Sequence, residues 1–189
     1  MLNKKFFKQL KEEFSKSEIE RRKIISRSNS ILHDAKRSIF SLHRQDAKKA
    51  EESIRDIENR LKEMKKEFGF DRLEKEGSYK AAVEEYVEAK MFSLVLLNKK
   101  IDKIPGLKLR YDSYLGGICD LTGELVRLAV NQASRGELDE VIKTKNMISD
   151  IMTELVEMDI SGYLRTKYDQ ARGNLRKIEQ IVYDINVRR

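Results

Sequence analysis

Four acidic side chains in two otherwise apolar stretches are the residues of this chain best suited to chemistry. Glu85 and Glu88 interrupt the stretch AAVEEYVEAKMFSLVLL, and Asp120 and Glu124 interrupt the stretch YLGGICDLTGELVRLAV. A buried carboxylate is costly unless it is paired, hydrogen-bonded or bound to a cation. Acids three or four residues apart project from one face of a helix. If the two helices pack together, the four acids form one pocket suited to a divalent cation and phosphoryl-transfer chemistry.

The chemistry expected of such a pocket follows from its oxygen ligands. Mg²⁺ binds carboxylates together with water and phosphate oxygens. The ion polarises the phosphate and activates the attacking water, and a carboxylate that does not bind the ion can act as general base. A different interpretation stays open for Glu85 and Glu88, which could instead lie on a solvated face or form salt bridges with Lys80, Lys90 or Arg127.

The elements that must position these acids are helices. Apolar residues recur every three or four positions along most of the chain, whereas no segment shows the alternation of a half-buried strand. Ser17 with Glu20 reads as a capping box at the start of the first long helix, and Gly69 and Gly136 are credible helix ends. We predict a single all-α domain, residues 1–189, with helices at residues 17–42, 45–68, 79–101, 112–134, 138–158 and 164–187, and a short seventh helix near residues 3–14.

The helix that carries Asp120 and Glu124 is also unusual in its glycines. Gly116, Gly117 and Gly123 lie beside its line of polar residues, and each costs roughly 1 kcal/mol of helix stability. Glycines at such positions let another backbone or a ligand approach closely. Ordinary close packing of helices is the other interpretation.

The net charge of +7 is unevenly distributed. Residues 1–44 hold twelve Lys or Arg and five Asp or Glu, and the rest of the chain is neutral. This asymmetry suggests a polyanionic partner, although a solvated basic helix face would look the same. Few aromatic residues are interleaved, so these side chains would bind phosphate rather than stack on bases. The candidate nucleic-acid-binding residues are Arg21, Arg22, Arg27, Lys36, Arg37 and Arg44.

Further features of the sequence bear on the location of the protein in the cell and on its partners. Cys119 is the only cysteine, so an intramolecular disulfide is excluded and a reducing, cytoplasmic location is expected. The longest apolar stretch is too short to span a bilayer, so we expect no membrane partner. His33 and His43 are too few and too distant from the acids in sequence to suggest zinc, and we expect each to be a surface or partner-contacting residue.

Several segments resemble the translin/Trax family. AKRSIFSLHR, EYVEA and YLGGICDLTGELVRLAVNQASRGE resemble Trax, whereas LRTKYDQARGNLRKIEQIVYDINVRR resembles the end of translin. The resemblance implies an all-α fold of about seven helices that assembles into a closed octameric shell. It also implies binding of single-stranded nucleic acid or short RNA.

The resemblance further implies a Mg²⁺-dependent (or Mn²⁺-dependent) ribonuclease site. Its metal ligands would be Glu85, Glu88 and Asp120, with Glu124 as a ligand or as the base that orients water. We therefore predict an endoribonuclease that cleaves RNA, single-stranded or in a short duplex, within a homo-oligomer. The alternative is a non-catalytic, translin-like protein that binds single-stranded RNA or DNA, and a structural helical oligomer without nucleic acid is a second rival.

Overall fold

The computed structural model describes residues 2–187, and all of its regular structure is helical. This confirms the predicted all-α fold of six or seven helices. In residues 2–187, no helix has both the length and the apolar character needed to cross a bilayer. The seven helices of this part of the chain are α1 (Lys4–His43), α2 (Ala47–Phe68), α3 (Phe70–Leu73), α4 (Gly77–Leu96), α5 (Tyr111–Ser134), α6 (Leu138–Val156) and α7 (Gly162–Val187).

The first helix is one continuous element of 40 residues. The expected break between a short helix at residues 3–14 and a longer one is therefore wrong, and Ser17 is no N-cap. The cap is Asn3, whose side chain accepts a hydrogen bond from the backbone N–H of Phe6 at 3.2 Å. The reason is that neither glycine nor proline occurs within α1, so nothing ends the helix where its burial begins.

Most other helix boundaries agree with the expected ones. Gly69 and Gly136 follow α2 and α5 with φ of +80° and +75°, a conformation that glycine adopts without strain. The helix α4 ends at Leu96, five residues before the expected position, because Asn98 takes a φ of +53° and turns the chain away.

The helix α4 lies at the centre of the fold and carries two of the candidate acids. It packs against α1 on one side and α5 on the other, and α5 in turn contacts α6 and α7. Residues from most of the circumference of α4 are buried, as expected for a helix enclosed by others. This packing places the acids of α4 next to those of α5.

Two glycines allow α4 and α5 to approach closely. A Cβ atom on Gly116 would lie 2.8 Å from Cδ of Glu84. A Cβ atom on Gly117 would lie 2.7 Å from Cβ of Val87 and 2.8 Å from the backbone oxygen of Glu84. The predicted close approach is thus confirmed for these two positions, whereas Gly123 meets only an ordinary contact at 3.5 Å.

The substitution Gly117→Ala is expected to destabilise the protein by about 1–3 kcal/mol, because the added methyl group overlaps fixed atoms of α4. The matched control is Gly173→Ala in α7, where no atom of the described residues, apart from the local backbone of the helix itself and its two chain neighbours, lies within 4 Å of the new Cβ. That change should be neutral or stabilise by up to about 1 kcal/mol, since alanine favours the helix. Thermal unfolding of both variants would measure the difference, and equal melting temperatures would contradict the close approach.

Candidate metal and nucleic-acid site

The four acids named from the sequence lie on one side of the α4–α5 pair. Glu88 is 7% exposed, and the other three are half-buried. The pKa of Glu88 is raised to about 9, chiefly by burial and in addition by the negative charges of Glu85, Asp120 and Glu124. The structure therefore brings the four carboxyl groups together as one cluster, which we call the acidic site.

The two acids of α4 differ in their partners. Glu85 faces Lys36 of α1 at 3.9 Å, although burial still raises the pKa of its carboxyl group above the ordinary value. Among residues 2–187, no side chain donates a hydrogen bond to Glu88 or forms a salt bridge with it. Lys90, one of the basic residues considered as a partner, pairs instead with Glu58 at 2.8 Å. Glu88 is thus a buried acid without a hydrogen-bond or salt-bridge partner among the described residues, and only the charge of Lys167 opposes the rise of its pKa.

Glu124 is held by a histidine from the end of α1. His43 binds Oε2 of Glu124 through Nε2, and Arg127 lies 3.6 Å from the same oxygen. Burial alone would raise the pKa of Glu124, but His43 and Arg127 together bring it below the ordinary value. The expectation that His43 is a surface or partner-contacting residue is wrong, because its side chain is only 3% exposed and packs inside the fold.

Asp120 is held by a lysine from the last helix. Lys167 of α7 binds Oδ2 of Asp120 and lies 3.6 Å from Oε2 of Glu84, a buried acid of α4. The hydroxyl group of Tyr163 donates a hydrogen bond to the same oxygen of Glu84 at 2.7 Å. Although burial opposes its charge, Lys167 has a raised pKa because of the bond to Asp120. The last helix therefore supplies a cation to the acidic site.

Sequence reasoning missed several of these partners. His43 follows Ile39 by four positions and so continues the buried stripe of α1, a signal that could have identified it. Glu84 stands directly beside Glu85 but was not singled out. Lys167 and Tyr163 carry no comparable signal, because they are far from the acids along the chain and meet them only through helix packing.

The acidic site is not a ready-made metal cage. In residues 2–187, no three His, Cys, Asp or Glu side chains converge closely enough to hold an ion. Two of the four carboxylates are directed towards basic groups, Asp120 towards Lys167 and Glu124 towards His43. Beside the acids lies an open cavity of about 500 Å³. Its lining includes Glu88, Asp120 and three polar side chains of α7, which are Gln170, Asn174 and Lys177.

The six basic candidates, five in α1 and Arg44 directly after it, fall into two groups. Three are engaged with acids: Arg21 lies 3.5 Å from Glu76, Arg27 lies 2.6 Å from Glu67, and Lys36 is the partner of Glu85 already described. The other three are exposed and have no acidic partner within salt-bridge distance among the described residues. These are Arg22, Arg37 and Arg44.

Fold and site together define a class of protein. It is an all-helical protein in which two central helices present a half-buried carboxylate cluster with basic side chains on either side. The chain belongs to the Translin family, whose model matches residues 19–189. The resemblance found in the sequence is thereby confirmed.

Two relatives differ in how much of the chain they match. Translin of Gallus gallus is 30% identical over 94 residues, which cover 49% of this chain and 41% of that protein. The chain thus matches less than half the length of that relative. Translin-associated protein X of Mus musculus is 24% identical over 225 residues, covering 96% of this chain and 78% of that protein.

Among solved structures, the fold is similar to AfC3PO. The TM-score is 0.86 at 20% identity, with 97% of this chain and 98% of that chain covered. The structure of AfC3PO in complex with duplex RNA gives a TM-score of 0.82 at 19% identity, with 97% of each chain covered. At these identities the similarity shows a shared fold.

Proposed function

We propose that this protein is a metal-dependent endoribonuclease that binds and cleaves RNA within a helical oligomer. The observation that carries the proposal is Glu88, a buried acid beside three other carboxyl groups and without a basic partner among the described residues. A divalent cation would supply the missing positive charge. Two relatives add support, since Translin-associated protein X matches nearly the whole chain and AfC3PO has been solved with duplex RNA.

The residues fit Mg²⁺ or Mn²⁺ in their chemistry, because carboxylate oxygens are the preferred ligands of both ions. Glu85, Glu88 and Asp120 would hold the ion. Asp120 would first have to leave Lys167, to which it is bonded in this structure. When bound, the ion would stabilise the negative charge that develops on the phosphate.

The remaining groups have separate tasks in this proposal. Glu124 keeps a pKa below the ordinary value, so it is a carboxylate at neutral pH and can accept a proton from water. Lys36 on one side of the acids and Lys177 on the other would contact phosphates of the RNA backbone. Lys167, once released from Asp120, would be a third such cation.

Exposed arginines of α1 and of its C-cap would extend the RNA surface away from the acids. The triple variant Arg22→Ala, Arg37→Ala and Arg44→Ala should bind RNA more weakly for every sequence tested. Each lost phosphate contact should also lower the slope of log Kd against log salt concentration by about one. Fluorescence anisotropy at several salt concentrations would measure both effects.

The control for this prediction is Lys103→Ala, which removes an exposed charge from the loop between α4 and α5. It should leave both the affinity and the slope nearly unchanged. A triple variant with the affinity of the wild type would exclude this face of α1 from RNA binding.

The alternative is a protein that binds RNA or single-stranded DNA without cleaving it. The observation that favours it is the pairing of Asp120 and Glu124 with basic side chains, which leaves fewer free carboxylates for an ion. It predicts RNA binding of the same strength in Mg²⁺ and in EDTA, with no turnover in either.

We also propose that the protein works as a homo-oligomer, with the octamer as the expected form. The first third of α1 is exposed on all sides, and it carries apolar side chains that a second subunit could cover. These are Phe6, Phe7, Leu10 and Phe14, each at least 42% exposed. Particle mass in solution would test this.

The decisive experiment is an RNA cleavage assay in Mg²⁺, in Mn²⁺ and in EDTA. The proposal expects turnover with either ion and none in EDTA. It is overturned if purified protein that binds RNA shows no metal-dependent cleavage of single-stranded or short duplex substrates.

A further inference from the structure

His43 differs from the other buried residues of α1, which are apolar or small. Its imidazole lies between two helices. The ring centroid is 4.7 Å from that of Phe92 in α4, and Nε2 binds Oε2 of Glu124 in α5. With a side chain that is 3% exposed, the ring has little freedom to turn.

The hydrogen bonding of this imidazole is incomplete. Its Nδ1 is buried and has no partner among the described residues. A buried polar atom without a partner costs about 1–3 kcal/mol, and an apolar ring would fill the same space without that cost. The geometry gives the two ring nitrogens different roles: an Nε2–H can donate to the carboxylate, and Nδ1 is the nitrogen left without a partner.

The two carboxylate oxygens of Glu124 differ in their partners. Both His43 and Arg127 approach Oε2, and no side chain of residues 2–187 donates a hydrogen bond to Oε1. Since Arg127 is half-exposed and 3.6 Å away, His43 is the firmer of the two partners. The carboxylate is therefore fixed through one oxygen, and its other oxygen is available.

We infer that His43 is a positioning residue of the acidic site, which holds Glu124 through Oε2 so that Oε1 can accept a proton from the attacking water. The inference rests on the proposed ribonuclease function. In the reaction, the water proton passes to Oε1 and the water oxygen bonds to phosphorus. The bond from phosphorus to the leaving ribose oxygen breaks, and that oxygen takes a proton from solvent water.

The test compares variants that separate packing from hydrogen bonding. His43→Phe keeps a ring against Phe92 but cannot donate to Glu124, and it should lower kcat roughly 10- to 100-fold, the usual effect of losing an orienting partner. The KM should stay within about twofold of the wild type, because the RNA is not touched. His43→Gln, whose amide can reach the carboxylate, should recover most of the rate, whereas the shorter His43→Asn should not.

A double-variant cycle tests whether His43 acts through Glu124. Glu124→Gln should lose at least as much activity as His43→Phe, and the two together should be no worse than Glu124→Gln alone. A purely structural role would instead give losses that multiply. His33→Gln, at the other and exposed histidine, is the matched control and should cleave like the wild type.

A second readout needs neither metal nor RNA. Solid-state NMR of protein labelled with ¹⁵N-histidine should show a hydrogen-bonded proton on Nε2 of His43, and Glu124→Gln should shift that signal. Because the chain has only two histidines, the His33→Gln sample assigns the spectrum.

The outcomes separate this inference from the proposed function. A wild-type protein that binds RNA but never cleaves it overturns both. Cleavage that Asp120→Asn abolishes but His43→Phe leaves at the wild-type rate overturns only the role of His43. If His43→Phe does not fold, the pair His43→Gln and His43→Asn decides, and wild-type rates in both would overturn the inference.

Discussion

Replacing Asp120 by asparagine is expected to lower metal-dependent RNA cleavage by about a thousand-fold. The asparagine has nearly the same shape but offers a neutral oxygen, so it would bind a divalent cation weakly. Loss of the ion removes several kcal/mol of transition-state stabilisation, and each 1.36 kcal/mol corresponds to a factor of ten in rate. Initial rates under saturating RNA, with Mg²⁺ or Mn²⁺ present, would measure the loss.

Asp120→Asn should leave RNA affinity within a few-fold of the wild type. When no ion is bound, the carboxylate of Asp120 repels phosphate, so its replacement removes no attractive contact with the RNA. The matched control is Glu63→Gln, an exposed residue of α2 without a salt-bridge partner among the described residues. It should cleave like the wild type. Wild-type cleavage by Asp120→Asn would rule out the acidic site as the catalytic centre.

The substitution Glu88→Gln is expected to abolish cleavage and yet to stabilise the metal-free protein. Folded Glu88 keeps its proton up to about pH 9, whereas the unfolded chain releases it near the ordinary value of 4.5. Between these values the folded state binds more protons, so the free energy of unfolding falls as the pH rises. Glutamine has no proton to lose and escapes this penalty.

Thermal unfolding in EDTA between pH 5 and pH 9 would measure the effect. At pH 8.5, four units above the ordinary value, the gain has an upper limit of about 5 to 6 kcal/mol, since one pKa unit corresponds to about 1.4 kcal/mol. We expect the variant to be more stable by roughly 2 to 4 kcal/mol, because a buried glutamine amide without partners costs part of this gain. In a chain of this size that is a rise of about 5 to 10 °C in Tm, and the difference should shrink towards pH 5. Curves of Tm against pH that run parallel for the wild type and Glu88→Gln would contradict the raised pKa of the buried Glu88 carboxyl group.

Added Mn²⁺ connects this stability effect to function. At pH 8.5 the ion should raise the Tm of the wild type, because an ion that binds only the folded state stabilises it. It should raise the Tm of Glu88→Gln much less. If Glu88 had a purely structural role, one substitution would not both stabilise the protein and abolish its activity.

The sequence by itself determined the helices and the acids. Apolar spacing of three and four residues predicts six of the seven helices, since a helix needs one continuous stripe to bury. The spacing of Glu85 from Glu88 and of Asp120 from Glu124 places each pair on one face of its helix. Local rules failed at Ser17, where a capping pattern lies inside a helix, because no residue of α1 ends it and helix propagation continues.

Only the tertiary structure decided which groups meet those acids. Lys167 reaches Asp120 across 47 positions, and His43 reaches Glu124 across 81. Periodicity tells which face of a helix is buried but not which helix covers it, because many pairings of apolar stripes bury similar areas. Here Gly116 and Gly117 allow α4 and α5 to approach closely, and the positions of α1 and α7 bring one basic side chain to each of two carboxylates. Glu88 received no such partner among the described residues, and that difference sets it apart from the other acids.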